Sequence, residues 1–107
     1  MGFSVRKEGD VCVVGVEGQL IVGNRQELKQ RVLEEIERGN RRFLIDFAQT
    51  GYIDSSGLGV LVSLSRKIRE LNGDLRLANL NEDLRRLFEL TKLDTLFDIA
   101  PVAGPGA

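Results

Sequence analysis

One short run of residues, Asp54-Ser55-Ser56-Gly57, could carry chemistry in this chain. It follows an apolar segment and precedes a helical pattern. Asp and Ser are preferred helix caps, because their oxygens accept bonds from the free backbone N–H groups of the first turn. The same N–H groups and the helix dipole favour an anion, so a phosphate on Ser55 would be stabilised there, against the like charge of Asp54. The run is therefore either a plain helix cap or a modification site.

Two glycines favour the second interpretation. Gly57 and Gly59 fall in or near the first turn of the predicted helix. A glycine inside a helix costs about 0.5–1 kcal/mol relative to alanine, so two would cost about 1–2 kcal/mol, a notable part of a small domain's stability. A cap does not require them, whereas an exposed turn that another molecule approaches closely does. We therefore interpret Ser55 as a substrate for another protein's chemistry.

The composition argues against catalysis by the chain itself. The 107 residues include no histidine and one cysteine, Cys12. A Ser-His-Asp triad and an internal disulfide are thus both excluded. No lysine near Ser55 in sequence could activate it. Cys12 alternates with Val14 and Val16, which predicts a core residue and not a redox thiol.

The charge is balanced, with 15 Lys and Arg against 16 Asp and Glu and a net charge of −1. This argues against nucleic acid or an anionic membrane as the partner. The basic pairs Arg66-Lys67 and Arg85-Arg86 lack interleaved aromatic residues, so we interpret them as solvated helix faces. No apolar run of about 20 residues and no signal-peptide pattern occurs, which predicts a cytoplasmic protein without direct membrane insertion.

The apolar pattern predicts an α/β fold in the order ββαβαβαβ. Strands are expected over residues 4–8, 11–17, 42–47, 74–78 and 96–99, and helices over about 25–38, over 56–71 and after Asn81. Asn24 is the predicted cap of the first helix. Alternating strands and helices imply a mainly parallel central sheet in one domain, residues 1–100, and residues 101–107 are expected to be a disordered tail. The serine run then lies past the carboxyl end of a strand, where such folds place their sites.

The run also carries a family resemblance. Ile53-Asp54-Ser55-Ser56-Gly57-Leu58-Gly59-Val60-Leu61 closely resembles the signature of the anti-sigma factor antagonists, which belong to the wider STAS-domain family. The likeness extends over about residues 11–99. It includes the Val-rich strand that ends near Gly18 and the helical segment Leu84-Arg85-Arg86-Leu87-Phe88.

The resemblance implies partner switching, with Ser55 as the phosphoacceptor. The unmodified antagonist binds an anti-sigma factor that is also a serine kinase and so releases the sigma factor. The kinase phosphorylates the antagonist, which dissociates, and a serine phosphatase restores it. ATP and metal belong to these partners, so no cofactor is expected in this chain. The residues expected to contact the partner are Asp54, Ser56, Gly57, Leu58 and Gly59.

The chain departs from the family pattern in one loop. The family often has an acidic residue shortly after the glycine that ends the second strand, but the run here is Gly18-Gln19-Leu20-Ile21, with Ile21 in that place. Since this loop often flanks the partner surface, the identity of the partner stays open.

Three other functions remain as alternatives. The chain could be a non-switching STAS scaffold, in a stress-sensing assembly or as an accessory subunit of a lipid transport complex. It could be a phosphopantetheine carrier, although the Val-rich strands and balanced charge argue against the small, acidic, all-helical domains of that class. An enzyme with a shallow pocket at the strand ends ranks last, because the sequence has no base–nucleophile pair. The oligomeric state is not determined by the sequence.

Overall fold

The computed structural model describes residues 2–100, so the predicted disordered tail at 101–107 lies outside the described residues. The strands are β1 (Gly2–Glu8), β2 (Val11–Leu20), β3 (Arg42–Asp46), β4 (Thr50–Ile53), β5 (Asp74–Ala78) and β6 (Asp98–Ile99). The helices are α1 (Arg25–Glu37), α2 (Ser55–Glu70) and α3 (Glu82–Leu90), with a short 3-10 helix at Leu93–Thr95.

The sheet is mainly parallel, as the sequence predicts. Its order is β1-β2-β3-β5-β6, and β4 pairs with β2 off this path. β1 runs antiparallel to β2, because the tight turn at Gly9, with φ +64°, joins them as a hairpin. The other pairings are parallel. The predicted α/β class is therefore confirmed.

The structure adds one strand that the sequence pattern did not predict. After β3 the chain turns at Ala48 and Gln49 and forms β4, which pairs in parallel with the end of β2 at Gly18–Leu20. The buried hydroxyl of Thr50 anchors this strand by donating to the Val16 carbonyl at 2.6 Å. β2 accordingly continues past Gly18, whose φ of +88° lies beside a shift in the β2–β4 register, and does not end there as predicted.

The last predicted strand is shorter than expected. β6 covers only Asp98–Ile99, and Leu96 and Phe97 follow the 3-10 helix instead. The ring of Phe97 is buried and packs edge-on against Phe88 of α3, with ring centroids 5.8 Å apart. This aromatic contact holds the segment under α3, which explains why its apolar residues do not extend the strand.

One apolar cluster joins the three helices to one face of the sheet. The strand residues that alternate into it include Cys12, Val14, Phe43, Ile45, Leu75 and Leu77, and the helices contribute Leu28, Val32, Leu61, Leu64, Leu84 and Phe88. Cys12 is fully buried, and burial raises the pKa of its thiol. The prediction that Cys12 is a core residue is thus confirmed.

Candidate functional site

The serine run lies where β4 passes into α2, at the carboxyl ends of two adjacent parallel strands. Leu20 at the end of β2 is paired with Ile53 at the end of β4. The next backbone N–H, that of Asp54, donates to the Leu20 carbonyl at 3.1 Å. The turn is therefore fixed to the sheet on one side, and α2 begins immediately after it at Ser55.

Asp54 is the N-cap of α2. Its Oδ1 accepts a hydrogen bond from the Gly57 N–H at 2.8 Å, and its Oδ2 accepts one from the Val22 N–H at 3.1 Å. One carboxylate thus satisfies a free donor of the helix and also holds the loop between β2 and α1. Asp54 is therefore the helix cap, and neither Ser55 nor Ser56 is needed to cap α2.

Ser55 is exposed and Ser56 is half-buried. Within residues 2–100, the Ser55 hydroxyl makes no side-chain hydrogen bond, since the helix is capped by the carboxylate beside it. Ser55 is the first residue of a 16-residue helix, so its Oγ lies near the positive end of a long helix dipole. An accessible, uncommitted hydroxyl in this position can accept a phosphoryl group.

The structure shows that Gly57 is required for packing, and not for the approach of another molecule as the sequence suggested. This glycine is buried, and a Cβ built on it would lie 2.5 Å from the Leu20 carbonyl oxygen and 2.9 Å from Ile53 Cγ2. Close packing between α2 and the ends of β2 and β4 requires the glycine, without any outside molecule. Gly59 differs, because it is exposed and a Cβ there would meet nothing within 4 Å.

The five residues predicted to contact the partner therefore differ in their exposure to solvent. Gly59 is exposed and Asp54 and Ser56 are half-buried, whereas Gly57 and Leu58 are buried. Contact between a partner and any of the five stays a prediction. Gly57 and Leu58 can contribute indirectly, because their packing holds Ser55 at the surface.

A groove of about 470 Å³ lies next to Ser55, between the β4–α2 turn and α3. Tyr52, Asp54, Ser55 and Leu58 line it from the turn, and Asp83, Leu84, Leu87 and Thr91 line it from α3. The sequence pattern gave no indication that Tyr52 and Asp83 belong to this site, and it connected Leu87 only with the family resemblance. In the sequence, only Tyr52, the aromatic residue two positions before Asp54, could have suggested the groove, since nothing in the sequence connects α3 to the serine run.

The loop that carries Ile21 is apolar and well ordered by hydrogen bonds. The Ile21 N–H donates to Asn24 Oδ1 at 2.8 Å, and Asn24 Nδ2 donates to the Gln19 carbonyl at 2.8 Å. Asn24 occupies the predicted N-cap position of α1 but makes no side-chain cap bond, because its amide ties this loop together. Beyond Ile21, Val22 is 63% exposed, and Tyr52 of β4 is 57% exposed.

Replacing Asp54 tests the cap. Asp54→Ala removes both accepted hydrogen bonds and is expected to lower the free energy of unfolding by about 1–2 kcal/mol. Asp54→Asn is the matched control: it keeps an oxygen for the Gly57 N–H and should lose less, because Asn caps helices about as well as Asp. Urea unfolding of the three proteins measures this, and equal stability of wild type and Asp54→Ala would contradict the assigned cap.

The described residues show neither a metal cluster nor a membrane-spanning helix. No group of three or more His, Cys, Asp or Glu side chains between Gly2 and Ala100 is arranged to hold a metal ion. None of the helices in that range combines the length and apolar character needed to cross a bilayer.

Comparison with known proteins identifies the family. The STAS domain family model matches residues 3–103. The anti-sigma-B factor antagonist of Bacillus subtilis (strain 168) is 33% identical over 100 residues, which cover 94% of this chain and 91% of that protein. The chain therefore belongs to the STAS-domain family, and its resemblance to the anti-sigma factor antagonists is confirmed.

Solved structures show the same fold. The crystal structure of an anti-sigma factor antagonist from Mycobacterium paratuberculosis has a TM-score of 0.84 and 23% identity, and the match covers 94% of this chain and 86% of that one. The Bacillus cell fate determinant SpoIIAA in its phosphorylated form has a TM-score of 0.72 and 20% identity, covering 94% and 92%. The STAS-like fold class is thus confirmed.

Proposed function

We propose that this protein is an anti-sigma factor antagonist that works by partner switching and that Ser55 is the switch. The unphosphorylated chain binds an anti-sigma factor with serine kinase activity, and the sigma factor is released. The kinase then phosphorylates Ser55 and the complex dissociates. A serine phosphatase removes the phosphate and returns the chain to its binding form.

The observation that carries the proposal is that Asp54, and not Ser55, caps α2. Asp54 caps the helix with one oxygen and holds the β2–α1 loop with the other. Ser55 is exposed beside it, with its hydroxyl free across residues 2–100. A serine that served as the cap would have to give up that bond to be modified, whereas modification of the Ser55 hydroxyl breaks no side-chain hydrogen bond within residues 2–100.

The chemical step needs no catalytic group from this chain. The Ser55 Oγ attacks the γ-phosphorus of the ATP held by the kinase, the bond to the β–γ bridging oxygen breaks, and ADP leaves. The kinase's base takes the hydroxyl proton. The chain contributes position, since the sheet and the Asp54 cap hold Ser55 at the surface. The product carries about −1.5 to −2 charge where a neutral hydroxyl stood.

That charge is enough to break an interface. Val22 and Tyr52 are exposed apolar side chains in the segments that flank Asp54, so the surface around Ser55 can be desolvated by a partner. A strongly hydrated phosphate at its centre resists desolvation and lies next to the Asp54 carboxylate. Binding is therefore lost through local charge, with no refolding of the domain.

Mapping the phosphate tests the proposed acceptor. The purified chain is incubated with each serine-kinase anti-sigma factor of the same organism and ATP, and the modified residue is located by mass spectrometry. We expect phosphate on Ser55, its loss in Ser55→Ala, and its retention in the matched variant Ser56→Ala. Phosphate on another residue, or no phosphate with any cognate kinase, would contradict the proposal.

A cellular test separates switching from scaffolding. The apolar loop at Ile21, where the family often has an acid, keeps a non-switching STAS scaffold as the second candidate. If Ser55→Ala leaves the response of sigma-dependent transcription unchanged in cells, the scaffold is favoured. If Ser55→Ala keeps that transcription permanently on, the switch is favoured.

A further inference from the structure

The groove beside Ser55 has two walls from different parts of the chain. Residues 51–55 and Leu58 form the wall that contains Ser55, and α3 forms the other through Asp83, Leu84 and Leu87. The volume of about 470 Å³ is within the range that holds bulky apolar groups. The groove exists in the unmodified chain, so a partner needs no rearrangement to enter it.

The interior of the groove is apolar. Ile53, Leu58 and Leu84 are buried core residues that form part of the lining, and Leu87 is half-buried against the same core. Tyr52 is 57% exposed and presents its ring to any group that approaches. An apolar side chain placed here would cover surface that water now contacts, which is favourable.

The charged residues that line the groove are all acidic. Asp54 and Asp83 are its charged residues, and no Lys or Arg lines it. Asp54 already accepts two backbone hydrogen bonds. Asp83 is exposed in the first turn of α3 and forms no ion pair among residues 2–100. The α3 wall thus offers a carboxylate that is available to a cation.

We propose that this groove receives an apolar side chain of the anti-sigma factor and that a Lys or Arg next to that side chain pairs with Asp83. The inference rests on the proposed function, because it assigns the docking chemistry of the same partner. It also makes α3, which lies outside the signature sequence, a determinant of which anti-sigma factor is bound.

The position of Ser55 fits this occupant. Ser55 lies on the wall opposite α3, so a phosphate there would hold water at the mouth that the apolar side chain must pass. The Lys or Arg of the anti-sigma factor would by itself attract the phosphate and could not explain the loss of binding. Loss of binding on phosphorylation therefore comes from the hydrated charge of the phosphate next to Asp54, which keeps the apolar side chain out of the groove, while the ion pair with Asp83 supplies orientation and partner choice.

Charge reversal at Asp83 tests the proposal. Dissociation constants are measured by calorimetry for wild type, Asp83→Lys and Glu89→Lys against the anti-sigma kinase that binds wild type. Glu89 is exposed on the same helix but outside the groove, so Glu89→Lys is a matched control for the charge change. We expect Asp83→Lys to weaken binding about tenfold or more and Glu89→Lys to leave it within about twofold.

A second variant guards against a folding artefact. Asp83→Asn keeps the shape of the side chain, and its binding should depend less on salt than that of wild type, since one ion pair is gone. Thermal unfolding of each variant reports whether α3 remains folded.

The outcomes separate this inference from the proposed function. If Asp83→Lys and Asp83→Asn bind like wild type while phosphorylation of Ser55 still abolishes binding, the groove proposal is overturned and the switch stands. If Asp83→Lys weakens binding but phosphorylation has no effect, the groove proposal stands and the switch fails. Binding of wild type to a second copy of itself through these residues, or to no cognate kinase, would overturn the groove as the kinase's docking site.

Discussion

The chain phosphorylated on Ser55 is expected to bind its anti-sigma factor more than about a hundredfold more weakly than the unmodified chain. The phosphate adds about −1.5 to −2 charge at an exposed position beside the Asp54 carboxylate. An unfavourable charge in an interface costs several kcal/mol, and about 3 kcal/mol corresponds to a factor above one hundred. Calorimetry with the two forms, separated by ion exchange, measures the ratio directly.

Substitution gives an independent check of this effect. Ser55→Glu carries one charge instead of a phosphate's nearly two and should weaken binding by about tenfold or more, while Ser55→Ala should bind like wild type. Ser63 is exposed on α2 outside the groove, so Ser63→Glu is the matched control and should have little effect. Equal weakening by Ser55→Glu and Ser63→Glu would show that added charge acts generally and not at the proposed site.

Gly57→Ala is expected to lower the free energy of unfolding by about 1–3 kcal/mol, although alanine is the better helix former. The new Cβ would lie 2.5 Å from the Leu20 carbonyl oxygen. That oxygen is also held by the Asp54 N–H at 3.1 Å, so it cannot move without loosening the turn that carries Ser55. Urea unfolding measures the loss.

Gly59→Ala is the control for Gly57→Ala, because it makes the same substitution two residues further along the same helix. Nothing lies within 4 Å of a Cβ at Gly59, so the change should raise stability by about 0.5–1 kcal/mol. The two variants are thus expected to shift the urea midpoint in opposite directions. A stabilised Gly57→Ala would contradict the packing described for the start of α2.

The sequence predicted the sheet well where apolar residues are nearly continuous. The run from Val11 to Val16 and the run from Phe43 to Phe47 are mostly buried, and they form the adjacent parallel strands β2 and β3. β4 could not be predicted in this way. It has four residues, and two of them, Gly51 and Tyr52, are exposed, so hydrogen bonding to the end of β2 holds it without an apolar pattern.

The start of α2 was only partly predictable. The residue types limited the cap to Asp54 or a serine, but the choice depended on the Val22 N–H, which comes from 32 residues earlier in the chain. The role of Gly57 depended on the Leu20 carbonyl in the same way. The wall formed by α3 could not be found from the sequence, since its contact with the β4–α2 turn exists only in the folded chain.

A phosphorylation cycle on a single sample is the sharpest test of Ser55 as the switch. The dissociation constant for the anti-sigma kinase is measured on the unmodified chain, after complete phosphorylation of Ser55, and after treatment with a serine phosphatase. Partner switching at Ser55 predicts that binding is lost at the second stage and fully restored at the third. Unchanged binding at all three stages, with phosphate on Ser55 verified by mass spectrometry, would contradict it.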